Sequence, residues 1–277
     1  MYIIINYDIL NIIKMNCTIV TAYYELEFKK HSSSKYHNWS KLYLENIDAN
    51  MIIFTDDKSL QHIQDFRKSF KDKTLFIIYP LESFYTYKFI DYWNKDWERD
   101  HEKRYHHPYL YMIWAEKSMF LQKAIEINKE RFNSDFYCWT DIGMVREERT
   151  LQYISKFPNK KILEKTKKDK IYLLNVENFL EKELEYNDVT EIFRYNINRI
   201  GGGFILGHKD ILPKWISEYY DMLNKFMYHD YFAGKDQSIM ICVYLKNKDN
   251  LIELIKPIYS PIDKWFYMLY YFGNILE

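Results

Sequence analysis

The sequence predicts an α/β protein with a mostly parallel central sheet flanked by helices, and three observations carry the prediction. Apolar runs of strand length recur along the chain. Longer stretches with helical spacing stand between them, which is the order expected of βαβ units. Hydrophobic residues make up 48% of the chain and charged residues 28%, with only 7 Gly and 6 Pro. This composition is typical of a compact globular protein.

Each element follows from its own pattern. Strands are predicted at 17–23, 51–57, 74–80, 136–141, 171–176, after a glycine cluster at 201–203, and near 251–259. Helices are predicted at 35–45, 59–69, 109–128, 210–227 and 236–245. The fourth strand, FYCWTDIG, has the apolar character of a strand buried on both faces and ends at Asp141. The lysine-rich, more polar stretch at 146–199 is interpreted as a solvated excursion around the fifth strand.

The chain has 277 residues without a repeat or long linker, which favours one domain over 15–277. The first 14 residues are apolar, but they contain Asp8 and lack a basic start and a cleavage site. They are too short to span a bilayer and are expected to be an appendage. No transmembrane segment is therefore predicted.

Charge and cysteine content restrict the partners and the compartment. Lys plus Arg and Asp plus Glu both number 39, so no overall field attracts nucleic acid or an anionic membrane. Cys17, Cys138 and Cys242 are far apart in apolar segments. They are expected to be buried thiols in a reducing compartment, which predicts a cytoplasmic protein.

Polar residues follow three predicted strands, at Thr21, at Asp56 with Asp57, and at Asp141. In an open parallel sheet the carboxyl ends of the strands meet at one edge, where ligands bind. Asp56 and Asp57 precede a helix, so capping of that helix is an equal alternative for them. Asp141 has no helical pattern after it, and the sequence predicts that its carboxylate meets a nucleotide, a sugar hydroxyl or a metal.

Three of the seven glycines form the cluster Gly201, Gly202 and Gly203. Such a cluster permits positive φ or a close approach of the backbone to a ligand, and the alternative is a tight turn before a strand. It matches neither the dinucleotide fingerprint nor the phosphate-binding loop, so those sites are excluded.

Two further segments carry candidate functional groups. Asp236 begins a helix and is either its N-cap or a general base or hydroxyl ligand, with Lys235 available to anionic groups. Lys117 lies in a mostly apolar helix, where it would either meet a diphosphate or sit beside Glu116 on the wet face. His229 and Asp230 lie shortly before Asp236 and could extend the site around it.

The three histidines at 101, 106 and 107 lack zinc-site spacing with a partner cysteine pair. They are expected to be surface residues or contacts at the rim of a site.

The order of motifs resembles the HtrL/YibB family, which is related to nucleotide-sugar glycosyltransferases of the GT-A fold. The similar strings are TAYYEL, WAEKS, FYCWTDIGMVR, GGGFILG and KDQS, spread over 17–245, and WTDIGMVR is the most specific of them. The resemblance implies a GT-A-like fold and transfer of a sugar from a nucleotide-sugar donor, UDP- or GDP-linked, to a hydroxyl of a glycan or other acceptor.

The resemblance also implies roles for residues. Asp141 corresponds to the DxD element that holds the donor and a divalent metal, Mn²⁺ or Mg²⁺. Asp236 lies near the reacting carbon and, in an inverting enzyme, acts as base. The donor-binding residues would be Thr21, Ala22, Tyr23, Asp56, Lys117, Trp139, Thr140, Gly202, Gly203, Lys235 and Gln237.

The DxD element is reduced, because Asp141 is its one acidic residue. One carboxylate with two phosphate oxygens can still hold Mg²⁺, which commonly keeps several waters. The thinned motif also fits an alternative, a catalytically inactive module that binds a nucleotide or a glycan. A nuclease or nucleotidyltransferase is disfavoured, because such enzymes gather two or more carboxylates around their metals.

Overall fold

A computed structural model describes residues 16–26, 31–185, 198–258 and 260–274. Its strands are β1 (Cys17–Tyr23), β2 (Asn50–Thr55), β3 (Thr74–Ile78), β4 (Phe136–Thr140), β5 (Ile171–Asn175), β6 (Ile200–His208) and β7 (Ile252–Ile255). They form one sheet in the order β3-β2-β1-β4-β6-β5-β7. In the described part of the chain every pairing is parallel except the two made by β6. The predicted α/β fold with a mostly parallel sheet is therefore confirmed.

Ten α-helices connect and cover the strands in the described residues. They are α1 (Ser33–Asn46), α2 (Asp57–Ile63), α3 (Ile90–Arg99), α4 (Pro108–Ile127), α5 (Leu151–Ile154), α6 (Lys160–Leu163), α7 (Glu181–Leu184), α8 (Leu212–Tyr228), α9 (Asp236–Asn247) and α10 (Tyr267–Gly273). Segments of 3₁₀ helix lie at Gln64–Lys73, Leu81–Ser83, Tyr85–Phe89, Glu148–Thr150, Lys248–Asn250 and Lys264–Phe266.

The core has two layers, one on each face of the sheet. Alternate residues of a strand point to opposite faces, so Val20 joins one layer and its neighbour Ile19 joins the other. Helices α4, α8 and α9 complete the first layer, and α1 and α10 complete the second. Burial on both faces explains why the strands are continuous apolar runs rather than alternating ones.

The predicted strands at 17–23 and 171–176 and the helices at 35–45, 109–128, 210–227 and 236–245 are confirmed to within a few residues. The second and fourth strands end earlier than predicted, at Thr55 and Thr140, so the acids that follow are free of the sheet. The helix predicted at 59–69 is α2 followed by a 3₁₀ segment, with a kink at Phe70. The appendage at 1–14 lies outside the described residues.

The alternative expected for the glycine cluster, a tight turn before a strand, is wrong. Gly201, Gly202 and Gly203 lie inside β6, and no glycine in the described residues has positive φ. Because β6 runs antiparallel to β4, its first residues lie at the edge where β4 ends, with Phe204 opposite Thr140. The reversed strand thus brings the glycines beside Asp141.

The three cysteines are buried and free, as predicted. Burial raises the pKa of the Cys138 thiol well above its usual value, so it stays protonated and unreactive. Within the described residues, no helix combines the length and apolarity needed to cross a bilayer.

Candidate active site

Asp141 lies immediately after β4, at the carboxyl edge of the sheet. Its backbone N–H donates to Gly203 O at 3.0 Å, and Met144 N donates back to Asp141 O at 3.2 Å. These two bonds fix the turn that follows the strand. The side chain is 44% exposed, so a carboxylate on a fixed backbone faces solvent at this edge.

Trp139 orients the Asp141 carboxylate from the interior. Its indole Nε1 donates to Asp141 Oδ1 at 2.9 Å. The indole itself is buried and stacks on Phe120 with 5.4 Å between ring centroids and 8° between planes. The tryptophan therefore serves as a rigid donor beneath the acid, and the structure assigns it no contact with solvent that a ligand could use.

Lys117 of α4 joins Asp141 to a second carboxylate. Its Nζ donates to Gly202 O at 2.8 Å and lies 3.2 Å from Asp141 Oδ1 and 2.8 Å from Asp236 Oδ2. The Lys117 side chain is 4% exposed. Burial alone would lower the pKa of Lys117, but the charges of Asp141 and Asp236 raise it above its usual value. The ammonium is therefore charged, and its three N–H donors all face protein acceptors.

Asp236 is the first residue of α9 and lies on the buried side of Lys117. Burial raises the pKa of its carboxyl, and the Lys117 charge opposes this rise. Asp236 Oδ2 contacts Lys117 at ion-pair distance, but it has no partner with hydrogen-bond geometry among the described residues. The N-cap of α9 is Lys235, so the alternative that Asp236 caps the helix is wrong.

Gly202 and Gly203 leave room for the two acids. A Cβ at position 202 would lie 2.6 Å from Asp236 Oδ1, and one at position 203 would lie 3.3 Å from Asp141 Oδ2. The cluster was predicted to let the backbone approach a ligand; in this structure the groups that approach it are carboxylates of the chain itself.

A family model described as "Bacterial protein of unknown function (HtrL_YibB)" matches residues 15–273. The chain belongs to the HtrL_YibB family. This confirms the resemblance drawn from its motifs. No curated protein matches the chain.

Two solved structures are similar to this HtrL_YibB chain. One is 4-diphosphocytidyl-2C-methyl-D-erythritol synthase from Anaerococcus prevotii, at 9% identity and a TM-score of 0.41, covering 94% of this chain and 97% of that one. The other is mouse xyloside xylosyltransferase 1 in its apo form, at 10% identity and a TM-score of 0.44, covering 86% and 84%. No fold type and no activity are carried over from either structure.

The divalent metal implied by the reduced DxD element does not fit these residues. Asp141 Oδ1 already accepts from Trp139 and faces the Lys117 ammonium, which would repel a metal ion bound at that oxygen. The second carboxylate, Asp236, is 5% exposed and pairs with the same lysine. Among the described residues, no group of three His, Cys, Asp or Glu is arranged to hold an ion.

The predicted donor contacts of two threonine side chains are not supported. Thr21 Oγ1 donates to Thr140 O at 2.7 Å, and Thr140 Oγ1 shares a hydrogen bond with Tyr43 Oη at 2.5 Å. Both threonines are fully buried. Their hydroxyls tie β1, β4 and α1 together. Tyr23, at the end of β1, is buried and its carbonyl accepts from Thr55 Oγ1 at 2.8 Å, while Ala22 is half-buried.

Asp56 and Lys235 also have structural partners. Asp56 Oδ1 accepts from Ser59 N at 2.7 Å and caps α2, as the capping alternative predicted. Lys235 is 7% exposed and its Nζ pairs with Glu102, so its predicted availability to an anionic ligand is not supported. Gln237 is half-buried in the first turn of α9, and its contact with a donor stays a prediction.

The predicted surface histidine at 106 is wrong, because its ring is buried and its Nδ1 lies 2.6 Å from Asp100 Oδ2. Asp100 also accepts from Tyr111 Oη at 2.5 Å. Asp230, predicted to extend the site, lies on the surface and pairs with Lys95 and Arg99.

One set of residues beside Asp141 was missed by sequence reasoning. Tyr36 and Trp39 of α1 lie against Gly143, where a Cβ would be 3.6 Å from Trp39 and 3.9 Å from Tyr36. The guanidinium of Arg146 lies over the Trp39 ring at 4.4 Å from its centroid. The signal available in the sequence was that Arg146 closes the string WTDIGMVR.

A cavity of about 660 Å³ lies away from Asp141, beside β5 and β7, with Lys167, Phe179, Tyr244 and Lys256 in its lining. Neither Asp141 nor Asp236 lines it. The chemistry of the candidate site is therefore at the open carboxyl edge of the sheet and not in this cavity.

Proposed function

We propose that this chain is a glycosyltransferase that moves a sugar from a nucleotide-sugar donor to a hydroxyl of a glycan or other acceptor. The observation that carries the proposal is the fixed, half-exposed carboxylate of Asp141 beside the end of β1. The strand order reverses between β1 and β4. In open α/β sheets, ligands bind in the crevice at such a reversal.

The donor is proposed to lie across this crevice, with its nucleotide against the ends of β1 and β2, near Ala22 and Tyr23. Its sugar then lies near Asp141 and Gln237. In the reaction, the acceptor oxygen forms a bond to the anomeric carbon while the bond from that carbon to the diphosphate oxygen breaks. The electron pair of the broken bond stays on the diphosphate, and the acceptor hydroxyl loses its proton to a base or to water.

Asp141 is proposed as the carboxylate that meets a substrate hydroxyl, because it is the exposed member of the pair. Asp236, first expected to be the base, is 5% exposed and held by Lys117. We assign to Asp236 and Lys117 the positioning of Asp141. A charged lysine beneath an exposed acid holds that acid in one orientation, which is what hydrogen bonding to a hydroxyl requires.

A second candidate is a module of the same fold that binds a nucleotide or glycan without turnover. The observation that favours it is that one carboxylate, Asp141, serves the exposed edge while Asp236 is buried. Both candidates predict ligand binding at the same place, and they differ in turnover.

A thermal-shift screen tests the proposal. UDP-, GDP-, CMP- and dTDP-sugars are added with EDTA or with Mn²⁺ to the wild-type chain, to Asp141→Ala and to Asp221→Ala. Asp221 is an exposed acid on α8 and serves as the matched control. A donor at ~100 times its Kd adds roughly 2.7 kcal/mol of stability.

A shift with one nucleotide class that vanishes in Asp141→Ala and persists in Asp221→Ala supports the donor site. Turnover of the nucleotide-sugar is then followed over hours, with an acceptor or with water. Transfer or release of the sugar supports the enzyme, and an unchanged donor supports the inactive module. Absence of any shift with all four donors would count against the glycosyltransferase and favour a module that binds glycans, which would be the next ligands to test.

A further inference from the structure

The candidate site has one buried cation, Lys117, and its charge is already paired with carboxylates of the chain. The Lys117 ammonium donates a hydrogen bond to Gly202 O and lies at ion-pair distance from both Asp141 and Asp236. Breaking the bond to a nucleoside diphosphate leaves negative charge on the phosphate oxygens, and enzymes stabilise such charge with fixed cations or metal ions. Since the acids here do not fit a divalent ion, a reaction at this edge requires another cation within reach.

Arg146 meets this requirement by its position. It follows Asp141 by five residues, after the turn closed by Met144 N and Asp141 O, and its side chain is exposed. Tyr36 links the two charges. Burial raises the pKa of the Tyr36 hydroxyl, the Asp141 charge adds to the rise and the Arg146 charge opposes it. Both charged groups therefore lie within electrostatic reach of one hydroxyl.

The guanidinium of Arg146 is held in place by aromatic rings. Its central carbon lies 4.4 Å from the centroid of Trp39 and 4.7 Å from the centroid of Phe266. Stacking and cation–π contacts of this kind use the flat faces of the guanidinium. The N–H groups at its edge remain available, because no carboxylate or carbonyl among the described residues accepts from Arg146.

A fixed guanidinium with free edge donors binds phosphate in a bidentate manner. We propose that Arg146 binds the diphosphate of the nucleotide-sugar donor, and that the chain binds nucleoside diphosphates without a divalent ion. The inference rests on the proposed function. It assigns to Arg146 the charge stabilisation that a DxD-bound metal supplies in enzymes with the complete motif.

The experiment compares nucleoside diphosphates with their nucleosides. UDP, GDP, CDP and dTDP, and the corresponding nucleosides, are titrated by calorimetry into wild-type chain, Arg146→Ala, Arg146→Gln and Arg149→Ala. Each titration is performed in EDTA and repeated with Mn²⁺. The matched control is Arg149, which lies three residues after Arg146, is exposed and pairs with Glu147.

In EDTA, the wild-type chain is expected to bind one diphosphate at least about 10-fold more tightly than its nucleoside, as one charge-assisted bidentate contact provides. Arg146→Ala should lose this preference and keep the nucleoside affinity. Arg149→Ala should match the wild type. If Arg146→Ala does not fold, Arg146→Gln makes the same comparison, since its planar amide can still lie over Trp39 without a charge.

The other outcomes overturn the inference, each in a different way. A diphosphate preference that appears only with Mn²⁺, or that survives in both Arg146 variants, removes the role of Arg146 and leaves the proposed function standing. If the wild type binds the diphosphate and its nucleoside with equal affinity, Arg146 does not bind the diphosphate and the proposed function again stands. Arg146 would then be tested as a contact for an anionic acceptor. If the wild type binds neither ligand with or without metal, the proposed function fails as well.

Discussion

Lys117 Nζ lies 2.8 Å from Asp236 Oδ2, and both side chains are at most 5% exposed. A buried ion pair of this kind contributes little net stability over an apolar pair of the same size, because burial of each charge is costly. Removing one partner is different, since the remaining charge is left in a medium that cannot solvate it. The pair therefore makes the stability of the chain depend on both residues together.

The first prediction concerns this dependence. Lys117→Met is expected to lower the free energy of unfolding by ~3–5 kcal/mol, because two carboxylates lose their cation. The double variant Lys117→Met, Asp236→Asn should be less destabilised than the sum of its single variants. Urea unfolding of the four proteins measures both quantities. Lys214→Met, at an exposed position on α8, is the control and should change stability by less than ~0.5 kcal/mol. If the losses of stability in Lys117→Met and Asp236→Asn simply add in the double variant, the two residues are not coupled.

The second prediction concerns Gly202. In Gly202→Ala the new Cβ would lie 2.6 Å from Asp236 Oδ1, so the buried acid or β6 must move. We expect a loss of at least ~2 kcal/mol in the free energy of unfolding, in the range of overpacked and strained sites. Gly143→Ala is the control, because its nearest neighbour is at an ordinary 3.6 Å. Thermal unfolding of the two variants measures the difference. An equal change in Tm for both would mean that β6 moves at position 202 with little loss of stability.

The third prediction separates stability from ligand binding at Trp139. Trp139→Phe keeps a ring against Phe120 but loses the donor to Asp141 Oδ1, and should destabilise the chain by about 1–3 kcal/mol. Trp215→Phe, which loses a hydrogen bond to Ser118 Oγ in the core, is the matched control. Both variants should unfold more easily, but only Trp139→Phe should weaken the nucleotide-sugar shift. Equal ligand affinity in the two would show that the orientation of Asp141 does not matter for binding.

The fourth prediction concerns acid stability. Burial tends to raise the pKa of Asp100, but hydrogen bonds from His106 and Tyr111 outweigh it and lower the value to about 2. Because the pKa in the folded state is below that of an unfolded aspartate near 3.8, the carboxylate stabilises the fold above pH ~4. This contribution is lost as the pH falls through about 2. Urea unfolding at pH 6, 4, 3 and 2.5 should therefore show a steeper decline for wild type than for Asp100→Asn. Parallel declines would contradict the lowered pKa.

The sequence predicted those parts of the fold that local patterns determine. Strands β1, β2 and β4 are apolar runs with both faces buried, and the acid at 141 follows such a run directly. The direction of β6 was not predictable in the same way, since it depends on pairing with β4 and β5, far away in sequence. The glycine cluster was consequently assigned to a turn.

The residues around the candidate site show a similar division. Lys117 was recognised as costly in an apolar helix, but the alternative placed it with Glu116 on a wet face. Both are buried, because Glu116 accepts hydrogen bonds from the backbone of Tyr85 and Thr86, in a segment whose path no periodicity reveals. The position of Arg146 depends on two aromatic rings from opposite ends of the chain, which no local pattern connects.

The close approach of Gly202 to Asp236 also has an evolutionary consequence. A side chain at 202 and an acid at 236 cannot occupy the same space, so neither position can change freely while the other keeps its residue. Relatives that substitute the glycine should already have lost the acid, and with it one of the two carboxylates that hold the lysine at 117. The three positions are therefore expected to be inherited as one unit, even though 119 residues separate the first from the last.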